Sequence, residues 1–172
     1  MHGEMDLMAA SFVLYKKFGT NLSKSTSFIS ETSIGSYDTA SSYVSMPLGI
    51  PDGTTVYSYE IVIEPKCTNA PLTRVDNLKM WYQYANPYPG VKLYGGSTSK
   101  AVSFTPTSNK STKAIYDMSE YGGINDSINV PGQASAINSA LGRMILQVGV
   151  NSATIYNGEL INMILHYSYK EQ

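Results

Sequence analysis

Charge is scarce in this chain. Lys and Arg number 12 and Asp and Glu 13, so 15% of the 172 residues are charged and the formal net charge is -1, where a soluble domain carries about 25% charged residues. A balance so near neutral argues against a dedicated nucleic-acid binder, which would be strongly basic. Cysteine is reduced to Cys67, which excludes an intramolecular disulfide framework and leaves stability to burial. Histidine is limited to His2 and His166, and with one cysteine these fall short of the ligands a zinc site requires. No apolar run approaches the roughly 18 residues of a membrane span. The opening segment places Glu4 and Asp6 where an export signal needs positive charge, and Lys16 and Lys17 end the apolar stretch from Ala9 to Leu14. The expectation is therefore a chain kept in the cytosol, unless it leaves without a cleaved signal. Without secretion, Asn21-Leu22-Ser23, Asn109-Lys110-Ser111 and Asn125-Asp126-Ser127 are common tripeptides rather than glycosylation sites.

What the chain does have is apolar content of 42%, 14 Tyr, and a surface supplied by Ser, Thr and Asn. That is enough to bury surface and fold, and the length suits one domain with an additional arm. Residues 55–64 put Tyr57, Tyr59, Ile61 and Ile63 on one face of a strand and Ser58, Glu60 and Glu64 on the other, the pattern of a half-buried strand. Residues 75–84 repeat it, with Leu78, Met80, Tyr82 and Tyr84 inward and Lys79, Trp81 and Gln83 opposite. In residues 143–150 the inward set is Met144, Leu146, Val148 and Val150, and in residues 159–169 it is Ile161, Met163, Leu165, Tyr167 and Tyr169, with Asn162, His166 and Ser168 facing away. Shorter strand candidates lie at 11–17, 26–30, 42–46, 91–94, 100–105 and 112–117.

Turn chemistry separates these runs at Pro51-Asp52-Gly53, Asn86-Pro87-Tyr88-Pro89-Gly90, Gly95-Gly96 and Asn157-Gly158. Gln133 to Leu141, between Pro131-Gly132 and Gly142, is the best helical stretch and predicts two turns at most. Many short strands with turn signals between them predict an all-β fold, an antiparallel β-sandwich of jelly-roll or immunoglobulin-like form. Residues 43–172 form the expected sandwich domain. Residues 1–42 read as an extended N-terminal arm, a short apolar strand followed by Ser- and Thr-rich sequence, able to pair with a sheet edge of its own subunit or a neighbour. Phe12, Leu14 and Tyr15 are its expected contact residues.

The catalytic inventory is thin. A Ser-His-Asp arrangement would have to use His166, whose simpler reading is a strand histidine on a polar face. Gly95-Gly96 and Gly122-Gly123 lack the Lys-Ser/Thr and long helix of a phosphate loop. Paired carboxylates would have to come from Asp52, Glu60, Glu64, Asp76, Asp117, Glu120, Asp126 and Glu159, most of which read as strand exteriors or turns. Asp126 with Asn125 and Asn129, or Asp117 with Glu120, are calcium candidates only if their oxygens converge. Cys67 reads as a small residue at a strand end. No cofactor or metal is expected, and no enzyme.

The aromatic residues carry more. Trp81, Gln83, Tyr88 and Tyr94 lie on or near a strand pair joined through residues 86–90. Planar rings beside amides suit three roles, namely packing between sheets, a protein interface, or a platform on which a sugar ring stacks.

From Tyr59 onward the order of elements resembles small virion-associated β-sandwich proteins encoded near the structural genes of tailed viruses of bacteria and archaea. The stretches that carry the resemblance run from Arg74 to Trp81, from Pro89 to Gly96, from Ile128 to Gly132 and from Arg143 to Lys170. The resemblance implies a non-enzymatic capsid, decoration or head/neck-region subunit, assembled in a host cytoplasm and located in the virion. Such a subunit docks to copies of itself as a homo-oligomer and to other virion proteins, with no nucleic acid and no membrane span. The alternative reading is a carbohydrate- or receptor-binding β-sandwich module that uses the aromatic residues and takes a glycan as partner.

Overall fold

A computed structural model describes residues 10–27, 48–49, 51–69, 71, 73–83, 89–118, 127–152 and 164–172. Ten strands are present among them: β1 (Ser11–Phe18), β2 (Lys24–Ser27), β3 (Val56–Tyr57), β4 (Ile61–Asn69), β5 (Val75–Gln83), β6 (Val91–Thr98), β7 (Tyr116–Asp117), β8 (Ile128–Val130), β9 (Arg143–Val150) and β10 (Ile164–Glu171). The described residues contain no α-helix, only a 3-10 turn over Thr20–Leu22. The strands form two antiparallel sheets packed as a β-sandwich. The larger, sheet A, runs β2-β1-β4-β9-β6-β7, with β3 also on β9, and the smaller, sheet B, runs β10-β5-β8. The candidate strand at 42–46, the turn at Asn157-Gly158 and the inward residues Ile161 and Met163 lie outside the described residues.

Period-two alternation aims the core. Ile61 and Ile63 of β4, Met144, Leu146 and Val148 of β9, and Leu78, Met80 and Tyr82 of β5 are buried together in the main cluster between the sheets. Asn77 on β5 has φ 52, and the β5–β10 register slips by one residue there, because Ser168 faces Lys79 while Lys170 faces Asp76. The bulge absorbs the extra residue, so Val75 and Leu78, three positions apart, are both buried. Asparagine tolerates this left-handed conformation better than other non-glycine residues.

The stretch read as an arm contributes β1 and β2 to sheet A. β1 pairs with β4 of its own chain from Ser11 opposite Asn69 to Lys17 opposite Val62, with one bulge. Ala10 is fastened to the other sheet: its N–H donates to the Glu171 carboxylate at 3.1 Å and its carbonyl accepts from the Tyr169 hydroxyl.

Three local expectations are corrected. Gln133 to Leu141 is not helical. Ala134 bridges Val75 of sheet B and Ala140 bridges Lys66 of sheet A, while Asn138 turns at φ 66. Its amides are drawn into pairing with two different sheets, which outweighs a weak helical preference that lacks room for stable turns. Residues 100–105 form no strand, and the candidate at 112–117 shrinks to the two residues of β7. Third, β4 and the turn before it are not half-buried, since Ser58, Glu60, Val62 and Glu64 are buried along with their apolar neighbours. The outer face of sheet A is covered by the segment from Ser99 to Ile115, and Val62, Ile145, Ala114 and Leu22 form a second apolar cluster beneath it, joined by Tyr94 and Phe104. All eight residues of β9 are buried for this reason.

Candidate functional site

The covering segment is held by polar groups that sequence reading placed on an exterior. Gln147, on β9, is fully buried. Its Nε2 donates to the carbonyls of Ser58 at 2.9 Å and Asn109 at 2.7 Å, and its Oε1 accepts from the Ser111 N–H at 2.8 Å. The Ser111 hydroxyl donates to Glu60 Oε1 at 2.5 Å and accepts from the Lys113 and Ala114 amides at 3.0 and 2.8 Å. Glu60 completes the clasp, because its Oε2 accepts from the Thr107 N–H at 3.3 Å and its own N–H donates to the Thr107 carbonyl at 3.0 Å. A second clasp joins Glu64 to Arg143 at 2.8 Å, both buried, and Arg143 Nη1 also donates to the Val102 carbonyl at 2.7 Å. These bonds satisfy buried charge and main chain together, the condition under which such groups are tolerated inside a protein.

Directly after Ala114 the chain presents Ile115 and Tyr116, each 61% exposed. Tyr116 opens β7, the outer strand of sheet A, which covers β6 only at Tyr94 and Gly95. The closeness of this crossing explains Gly95-Gly96, read from sequence as a turn. Both lie inside β6, and a Cβ on Gly96 would stand 1.9 Å from the Lys113 carbonyl oxygen, while one on Gly95 would stand 2.0 Å from Met118 Sδ. Lys92 and Asp117 flank the edge as an exposed ion pair at 2.6 Å, which contributes little to stability. The opposite edge of sheet A, β2, reads Lys-Ser-Thr-Ser and carries the polar, charged character that discourages strand addition. In sheet B the edge strand β10 exposes Ile164 and Tyr167.

The aromatic group expected from sequence does not converge. Tyr88 lies outside the described residues. Gln83 closes β5 opposite Ile164. Trp81 is on sheet B, partly buried and packed against the main core cluster, and one face of its ring is taken by His166, stacked at 5.5 Å with the planes 10° apart. Tyr94 is on sheet A, on the face turned from sheet B, beside Tyr57 at 6.2 Å. Burial raises its hydroxyl pKa, helped by Tyr57 and Asp117 and opposed by Lys92. Trp81 and Tyr94 thus belong to different sheets. His166 Nε2 is shielded from solvent and makes no hydrogen bond.

Among the arm residues, Phe12 and Leu14 pack against the main core of their own chain. Phe12 meets Tyr169 edge-on at 5.3 Å and Tyr167 at 6.3 Å, and Tyr15 lies beneath the Lys66 ammonium at 4.8 Å. Cys67 is buried in β4, its Sγ donating to the Asn69 carbonyl at 2.6 Å. Burial and the nearby Glu171 raise its pKa against that bond, so the thiol stays protonated. Among the described residues no cluster of His, Cys, Asp and Glu is arranged to hold a metal ion, and no helix is long and apolar enough to cross a membrane.

Sequence reading missed the clasp and the exposed pair next to it. The signal available was Gly95-Gly96 within a strand, which marks a close backbone approach as well as it marks a turn. Comparison with protein-family models, curated proteins and solved structures finds no match to this chain.

Proposed function

We propose that the protein is a non-enzymatic structural subunit of a virus particle that docks to copies of itself and to other particle proteins through the β7 edge of sheet A. The carrying observation is the position of Ile115 and Tyr116, two large apolar residues 61% exposed at an edge strand of only two residues. Exposed apolar side chains at a strand edge anchor a partner that docks against it. The Glu60, Ser111 and Gln147 clasp supports the reading, because it fixes the chain immediately before the pair and so presents the edge in one conformation. The virus-particle context rests on the resemblance of residues 74–81, 89–96, 128–132 and 143–170 to the virion-associated family. Repeated by closed symmetry, a small contact of this sort suffices for assembly.

Sedimentation of the full chain tests the docking mode. The native chain is expected to associate, and Ile115→Lys with Tyr116→Lys to sediment as a monomer with an unchanged circular dichroism spectrum. Ser25→Lys on the β2 edge should associate as the native chain does. A monomeric native chain, or a double variant that assembles normally, would refute the proposal.

A further inference from the structure

We infer that a cleft at the β8 edge of sheet B is a binding site for a neutral sugar. It opens where two strands part. Leu78 faces Val130 in the β5–β8 ladder, and the next pairing of these segments is the bridge from Val75 to Ala134. Between the two pairings β5 has two residues, Asp76 and Asn77, while the other chain has three, Pro131, Gly132 and Gln133. The bulge at Asn77, with φ 52, and Gly132, with φ 103, bow the segments apart and leave a cleft of about 610 Å³, within the size range of small-molecule sites.

Its lining is chemically specific. Asp76, Asn77, Asn129 and Gln133 contribute a carboxylate and three amides, with the exposed Pro131 as apolar surface beside them. Asp76 is only 9% exposed, yet its Oδ1 is shielded from solvent and accepts no hydrogen bond. Its Oδ2 lies 3.3 Å from Arg74 Nε in an ion pair, and that Nε also makes no hydrogen bond. A buried carboxylate oxygen left without a donor is costly and uncommon, and a donor supplied by a bound molecule would satisfy it.

The chemistry of the surroundings selects the molecule. An anion would face the Asp76 carboxylate. A divalent cation would find one carboxylate, already neutralised by Arg74, where such ions need several charged or carbonyl oxygens. Sugar hydroxyls fit both requirements, since each can donate to Asp76 Oδ1 and exchange bonds with amides that donate and accept, while ring C–H groups lie on Pro131. The cleft is on sheet B, and neither Trp81 nor Tyr94 lines it. It is therefore separate from the aromatic platform expected from sequence and independent of the β7 docking edge.

Backbone amide NMR of the full chain tests the site with glucose, galactose, mannose and N-acetylglucosamine in turn, and with calcium chloride. At least one sugar should shift the amides of residues 76–78 together with those of Asn129, Val130, Gly132 and Gln133. Asn129 is exposed, so Asn129→Ala keeps the fold and should weaken that sugar about tenfold, the loss of one or two hydrogen bonds. Asp76→Asn should weaken it further, and if that variant does not fold, Asn129→Ala alone decides. The inference is overturned if no sugar moves these amides, if the shifts fall elsewhere, if Asn129→Ala binds as the native chain does, or if calcium moves the same amides without sugar.

Discussion

Replacing Gln147 by leucine preserves side-chain bulk in the centre of sheet A and removes four hydrogen bonds. The carbonyls of Ser58, Thr107 and Asn109 lose a donor at 2.9, 3.3 and 2.7 Å, though Thr107 keeps the Glu60 N–H, and the Ser111 N–H loses its acceptor at 2.8 Å. Each buried main-chain group left unpaired costs about 1–3 kcal/mol. The covering segment can shift to admit water on its outer side, which places the expected total near 3 kcal/mol. That is a large share of the roughly 5–15 kcal/mol that holds a domain together, and it corresponds to a fall in melting temperature of about 6–12 °C for a chain of this size. Urea unfolding followed by tryptophan fluorescence measures the energy, and hydrogen exchange locates it, with the amides of Ser111, Lys113 and Ala114 exchanging faster than those of β5. Gln147→Glu is the companion variant. It keeps the acceptor for Ser111 and loses the three donated bonds, and burial raises the folded-state pKa of the new carboxyl. A raised folded pKa means that the folded state holds the proton longer, so the variant loses stability as pH rises from about 4 toward neutrality. A loss below about 1 kcal/mol for Gln147→Leu, or unaltered exchange at residues 111–114, would refute the view that this side chain holds the covering segment down.

Gly96→Ala should destabilise by more than about 2 kcal/mol in the same unfolding assay, because its Cβ meets a backbone oxygen at 1.9 Å, whereas Gly95→Ala meets the movable end of Met118 and should lose less. Arg143→Met should lose about 3–5 kcal/mol by stranding Glu64, and adding Glu64→Gln should recover much of it in a double-mutant cycle. Cys67, Tyr82, Tyr94 and Tyr169 all have pKa values raised chiefly by burial. Groups that hold their protons longer in the folded state disfavour it once the unfolded chain can ionise. Urea midpoints should therefore fall above about pH 9, and a midpoint that holds or rises between about pH 8 and pH 10 would contradict the burial of these groups.

Leu78, Met80 and Tyr82 of β5 and Leu165 and Tyr169 of β10 meet the core as the alternation predicts, whereas Tyr167, read as inward with them, is 42% exposed. Strand alternation is a local property, legible without knowledge of the partner. The covering segment is not legible in this way. Whether Ser58, Glu60 and Glu64 face water depends on residues 99–115, some forty positions later, and a polar residue clasped by a distant loop has the same sequence signature as a solvated one. The same limit applies to the cleft. Asn77 in β5 and Gly132 after β8 are visible individually, but that they bow apart opposite each other is a fact of register. For Gln133 to Leu141, alanine spacing suggested helix while two separate sheets competed for its amides, and the tertiary pairing won.

The position of β9 orders events in time. It is the central strand of sheet A, pairing with β3 and β4 on one side and with β6 on the other, yet it is ninth in chain order among the described strands. Until Val150 has left the ribosome, β4 has, among the described strands, β1 along one side and none along the other, and the described strand available to β6 is the two-residue β7. Most of the chain must therefore wait with open strand edges, at the rate that loop closure over such sequence distances allows. A chain whose strands close in the order they are made leaves fewer such edges open at any moment.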